Sequence, residues 1–150
     1  MINKGARFDY YAYRSAEHKI ASALVTAGFE DGIFVSFDSN GSLVKADGKS
    51  KAFMLTTSKK TGRDLVTGKI SAKGSILVGH FMVSTDQVAS TDAFAPGKAL
   101  YVNASGLLSL TGVTVTVGSG ETATTIPPIL VGYAMSALDA DGILKAYILP

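Results

Sequence analysis

Asp38-Ser39-Asn40-Gly41-Ser42-Leu43, Asn103-Ala104-Ser105-Gly106-Leu107-Leu108 and Asp139-Ala140-Asp141-Gly142-Ile143-Leu144 repeat one pattern. Each is Asp or Asn, any residue, a polar residue, Gly, any residue, Leu. The first side chain can accept hydrogen bonds from backbone N–H groups two residues on, and the glycine supplies a positive φ. The leucine then returns to a buried face. In two copies a further glycine, Gly32 or Gly97, lies nine residues before the turn glycine and opens the outgoing strand. The intervals between copies are unequal, so the reading is three similar hairpins and not a solenoid.

Outward from these turns, the apolar pattern has period two. Ile33–Phe37 reads as a strand, with Ser42–Lys45 returning. Ala52–Thr57, Ile76–Ser84, Ala99–Val102, Leu107–Val117, Ile129–Ala137 and Ile143–Leu149 read as further strands. Gly, Asn, Asp and Ser separate them at short intervals, as in an all-β sandwich or barrel. Val113, Val115 and Val117 alternate with Thr114 and Thr116, and Gly118-Ser119-Gly120 turns the chain toward Thr122, Thr124 and Thr125. That stretch reads as a hairpin with one apolar and one threonine face, either projecting toward a neighbour or forming an ordinary edge that Pro127-Pro128 terminates.

The N-terminal region differs. Residues 1–15 show no regular period. Three of the six tyrosines, Tyr10, Tyr11 and Tyr13, lie there with Arg7, Phe8 and Arg14. Tyrosine and arginine carry binding energy at interfaces, so Arg7, Phe8, Tyr10, Tyr11, Tyr13 and Arg14 are the candidate partner contacts. The competing reading folds this arm back onto its own core. Residues 16–27 read as a short helix, with Ser15 as N-cap and Gly28 as stop, or as a strand over Lys19–Val25. The expected fold is a single all-β domain, a barrel or sandwich of hairpins over residues 29–150. An arm with room for one short helix occupies residues 1–28.

The chain has 150 residues, enough to bury about 70% of its unfolded surface without staples. It has no cysteine, which excludes disulfides, thiolate zinc sites and thiol nucleophiles. Hydrophobic residues make up 47% and charged residues 17%, so the chain is not intrinsically disordered. Low charge also suits a protein that hides surface in an assembly. Arg7 and Asp9 fall where a secretory signal would begin its apolar core. The longest apolar-rich run, Ile129–Leu138, is too short to span a bilayer. The expected product is soluble, made in the cytoplasm and without membrane partners.

Charge is uneven along the chain. Lys45, Lys49, Lys51, Lys59, Lys60, Arg63, Lys69 and Lys73 face only Asp47 and Asp64, so that segment carries +6. Such a cluster can neutralise phosphates, but it holds one aromatic, Phe53, and no stacking platform. A solvated face, or docking on an acidic protein surface, competes with nucleic-acid binding.

No catalytic apparatus is legible. His18 and His80 have no cysteine to join them in a metal site, and each reads as structural. Asp139-x-Asp141-Gly142 lacks the later acids of a calcium loop. Gly118-Ser119-Gly120 lacks a third glycine and the strand–helix context of a dinucleotide motif. No phosphate loop, nucleophile elbow or His-Glu-x-x-His helix occurs. The expectation is a non-enzyme without cofactor, metal or small-molecule substrate.

The run from Thr91-Asp-Ala-Phe-Ala-Pro-Gly97 through Ala99-Leu-Tyr-Val102 and Asn103–Leu108, then Val131-Gly-Tyr-Ala134, then Asp139–Leu149, resembles tailed-bacteriophage capsid decoration (cement) proteins. The resemblance covers residues 76–150, and Gly32–Val44 more loosely. It does not extend to residues 1–28 or the lysine-rich middle. It implies a barrel-like domain that docks on the capsid exterior as a homotrimer. There it would bridge major capsid protein subunits and be located on the virion. Two other functions fit the residues: a tail or fibre module binding a host receptor or glycan, and a nucleic-acid module using residues 45–73. The missing tryptophan weighs against the first and the missing aromatic platform against the second.

Overall fold

A computed structural model describes the backbone of residues 6–56, 61–63 and 70–150, with the side chains of residues 7–16, 61–63 and 70–72 outside that description. The three repeated turns share one geometry. Asp38 Oδ1 accepts from the N–H of Asn40 and Ser42, both at 2.9 Å. Asn103 Oδ1 accepts from Ser105 at 2.9 Å and Leu107 at 3.1 Å. Asp139 Oδ1 accepts from Asp141 and Ile143, both at 2.9 Å. The turn glycines Gly41, Gly106 and Gly142 have φ of 74°, 75° and 76°. Leu43, Leu108 and Leu144 follow, each 0% exposed. Burying a leucine stabilises by about 1.5–3 kcal/mol, so each turn delivers one anchor to the core.

Among the described residues, twelve strands and a short helix run in the order β1 (Ala6–Lys19), α1 (Ser22–Ala27), β2 (Phe34–Phe37), β3 (Leu43–Lys45), β4 (Phe53–Thr56), β5 (Thr61–Arg63), β6 (Ile70–Thr85), β7 (Ala99–Val102), β8 (Leu108–Ser109), β9 (Val115–Val117), β10 (Thr124–Ile126), β11 (Leu130–Ala134) and β12 (Leu144–Ile148). A turn of 3₁₀ helix, Gly120–Thr122, separates β9 from β10. The repeated turns join β2 to β3, β7 to β8 and β11 to β12. All strand ladders are antiparallel, and the main sheet follows the path β3-β2-β4-β6-β12-β11-β7-β8. The all-β expectation therefore holds.

β6 organises the sheet. β1 pairs with it from Lys73 to Thr85. A strand has two edges, so β4, which pairs at Ser75–Leu77, and β12, which pairs at Phe81–Thr85, must share the other edge. They diverge around Gly79, whose φ of 130° is a backbone setting that marks a kink in a strand. The sheet curls into a half-barrel from this point. One end is tied by the parallel bridge Ile20 to Leu43, where Ala21 N–H donates to Leu43 C=O at 2.9 Å. The other is tied by Val88 to Leu108.

The interior has two parts. Phe34, Met54, Leu77, Phe81, Val83, Leu100, Leu108 and Leu144 belong to the larger. Ile20, Leu24, Ile33, Val35, Leu43, Leu55 and Ile76 form the smaller. Neighbours in sequence point to opposite faces of a strand, so Phe34 and Val35, Met54 and Leu55, and Leu77 and Ile76 each divide between the two. The sheet is covered on both faces there, which explains continuous apolar runs where a half-buried strand would alternate. Helix α1 supplies the second cover through buried Leu24, with partly buried Val25 beside it.

Three sequence expectations are corrected. Residues 6–15, read as irregular, are part of β1. Residues 16–27 are neither all helix nor all strand: β1 continues to Lys19, and the helix is confined to Ser22–Ala27, with no side-chain cap at Ala21. The strand expected over Leu107–Val117 is two strands, β8 and β9, parted at Thr111-Gly112.

Candidate interaction surfaces

Several of the polar side chains among the described residues are engaged in structure. The Asp139 carboxylate is spent on its turn, as above. Asp92 Oδ2 accepts from Ser109 Oγ and from Leu110 N–H, both at 2.7 Å, and so fixes β8. His18 meets Phe37 edge-on, with ring centroids 4.8 Å apart, and His80 lies 6.2 Å from Tyr147. Among the described residues no three His, Asp or Glu converge on a point. No described helix is long and apolar enough to cross a membrane. A groove of about 60 Å³ lies where β4 and β12 diverge, lined mainly by apolar residues including Phe53, Met54, Val78 and Ile148.

What the fold presents instead is surface. Across β6, β12, β11 and β7, Met82, Tyr147, Tyr133 and Ala99 are successive register partners. Val83, Ala146, Ala134 and Leu100 lie in the core, so alternation turns this row outward. Tyr133 is 41% exposed and Met135 beside it 45%. Methionine and tyrosine are enriched at protein interfaces because they combine large contact area with adaptable or polar tips. Lys145 is the charged side chain that β12 adds to this face. The row was not legible in the sequence, because it is assembled by register between strands up to 65 residues apart, as in Met82 to Tyr147.

The candidate contacts Arg7, Phe8, Tyr10, Tyr11, Tyr13 and Arg14 all lie on β1, opposite Ser84, Val83, Met82, Phe81, Gly79 and Val78 of β6. Their side chains lie outside the described residues. Tyr10 holds the register position opposite Met82. Of the basic segment, Lys45, Lys49, Lys51 and Lys73 are exposed, and Lys73 Nζ stands 3.8 Å from Glu17. The side chains of Lys59, Lys60, Arg63 and Lys69 lie outside the described residues.

The threonine hairpin is a separate two-stranded sheet. Val117 pairs with Thr124, Thr116 with Thr125 and Val115 with Ile126. One face carries Val115, Val117, Thr124 and Ile126, and the other Thr116 and Thr125. Residues 116–127 are exposed throughout. At the base, Gly112 packs against Pro128 and Tyr101, where a Cβ would overlap both. Comparison with protein-family models, curated proteins and solved structures finds no match to this chain.

Proposed function

We propose that this chain is a virion structural protein that decorates the exterior of a tailed-phage capsid and stabilises the shell by bridging major capsid protein subunits. The observation that carries the reading is the outward row Met82, Tyr147 and Tyr133, with Met135 beside it. It lies across the half of the chain that resembles the decoration proteins. The four adjacent strands β6, β12, β11 and β7 set the row across about 14 Å. A standard interface buries roughly 800 Å² per partner, so the row would be the centre of a larger contact. One such contact is weak, and several on one shell raise effective affinity by about a hundredfold or more. A homotrimer is the form in which the chain would supply them. Arg7, Phe8, Tyr10, Tyr11, Tyr13 and Arg14 are the proposed companions of the row. The protein has no catalytic role in this reading and needs no cofactor.

Point substitutions test this better than truncation, because β1 pairs with β6 along nearly its whole length. The double variant Tyr133→Ala, Met135→Ala should lose shell binding while its thermal midpoint stays near that of the native chain, since both residues are well exposed. Native-like binding by that variant would remove the outward row from the interface. Exposed Lys45, Lys49 and Lys51 leave nucleic acid as a second partner class. Steeply salt-dependent DNA binding by the free protein, without shell binding, would favour it.

A further inference from the structure

The hairpin of β9 and β10 takes no part in the aromatic row. Among the described residues its strands pair only with each other. β9 is rooted at the body, where Val113 packs against Gly48. β10 is exposed at all three positions, so its outer edge presents backbone N–H and C=O groups to solvent. Proteins ordinarily guard such an edge with charge, proline or a bulge. Here the only ionisable side chain from Thr111 to Leu130 is Glu121, at the tip, and Pro127 and Pro128 lie beyond the end of β10, outside its three residues. A two-stranded hairpin has marginal stability in water, and added strands are what stabilise it.

We infer that β10 pairs edge to edge, antiparallel, with β10 of a second copy about a twofold axis near Thr125. Self-complementarity selects this occupant. Antiparallel pairing sends the two tips, each with its Glu121, to opposite ends, so no like charges face each other. Threonine and isoleucine meet threonine and isoleucine, and β-branched and Thr–Thr pairs are favourable across strands. A nucleic acid would need cations, and a glycan an aromatic platform; residues 111–130 contain neither. The twelve exposed residues 116–127 fall short of the roughly 20–30 residues a side of a standard interface. The contact is therefore reversible and concentration-dependent. It stands apart from the shell-binding reading and does not rest on it.

Sedimentation velocity on the full chain, from about 10 μM to about 1 mM to bracket a weak contact, should show a shift to twice the mass of the base particle. Thr125→Lys and Thr125→Glu should each weaken that step about tenfold or more, because like charges then oppose across the axis. An equal mixture of the two should restore it. Thr116→Lys, on the strand away from the axis, should associate as the native chain does. Absence of mass doubling, native-like association of Thr125→Lys alone, equal loss in Thr116→Lys, or a mixture that fails to recover would each overturn the inference.

Discussion

Replacing the three turn glycines one at a time with alanine separates backbone conformation from packing at matched positions. Gly41, Gly106 and Gly142 have nearly the same φ, 74°, 75° and 76°. An L-residue there costs about 1–2 kcal/mol, partly offset by the lower entropy of the unfolded chain with alanine. A Cβ on Gly41 or Gly142 would meet nothing within 4 Å, so only this conformational term applies, about 1 kcal/mol net. A Cβ on Gly106 would lie 2.9 Å from Phe34 C=O and 2.9 Å from Lys45 Cγ. The lysine can move. Phe34 cannot easily do so, because its N–H donates to Gly106 C=O at 2.9 Å and its C=O accepts from Ala46 N–H at 3.0 Å. Forcing that backbone apart adds about 2 kcal/mol, by analogy with overpacked cores. Gly106→Ala should then cost about 3 kcal/mol in all. For a chain of this size the thermal midpoint should fall by about 9 °C, against about 3 °C for Gly41→Ala or Gly142→Ala. Urea unfolding with an unchanged m-value gives the free energies directly. Equal losses at the three sites would refute the reasoning, since conformation alone would then account for them.

Asn103→Ala removes the acceptor for two N–H groups and should cost about 1–2 kcal/mol, whereas Asn103→Asp, which copies the other two turns, should stay within about 0.5 kcal/mol of native in the same urea titration. Leu108→Ala, at a site 0% exposed in the larger core, should cost about 2–5 kcal/mol, read as the loss of denaturation midpoint. Lys73→Ala should change stability by less than about 0.5 kcal/mol, because Lys73 and Glu17 have side chains 61% and 48% exposed and solvent screens them.

The hairpins were legible because their causes are local. An Asx side chain, a positive-φ glycine and a returning leucine all lie within six residues, and the structure reproduces that geometry three times. Ala99–Val102 was read to the residue. The elements that were missed depend on distant partners. β1 contains Asp9 at an irregularity in register between Phe8 and Tyr10, and charged residues break its apolar period. Pairing with β6 makes it a strand, and nothing local does. β6 begins at Ile70, before the apolar run that announces it, because Ile70–Ala72 are held by β5 and Lys73–Ser75 by β1 rather than by propensity. The reading of residues 107–117 as one strand failed at Gly112, where Pro128, sixteen residues later, occupies the space a side chain would need. The projecting hairpin could be seen in the Val-Thr alternation. The outward tyrosine–methionine row could not, since its members are brought together by strand register alone.

Co-sedimentation of the purified chain with shells of the major capsid protein encoded in the same genome measures the proposed role directly. Binding should saturate at a fixed ratio of chain to shell subunit and fall away for Tyr133→Ala, Met135→Ala. Folded protein that stays in the supernatant at every concentration, with intact shells in the pellet, would contradict the account.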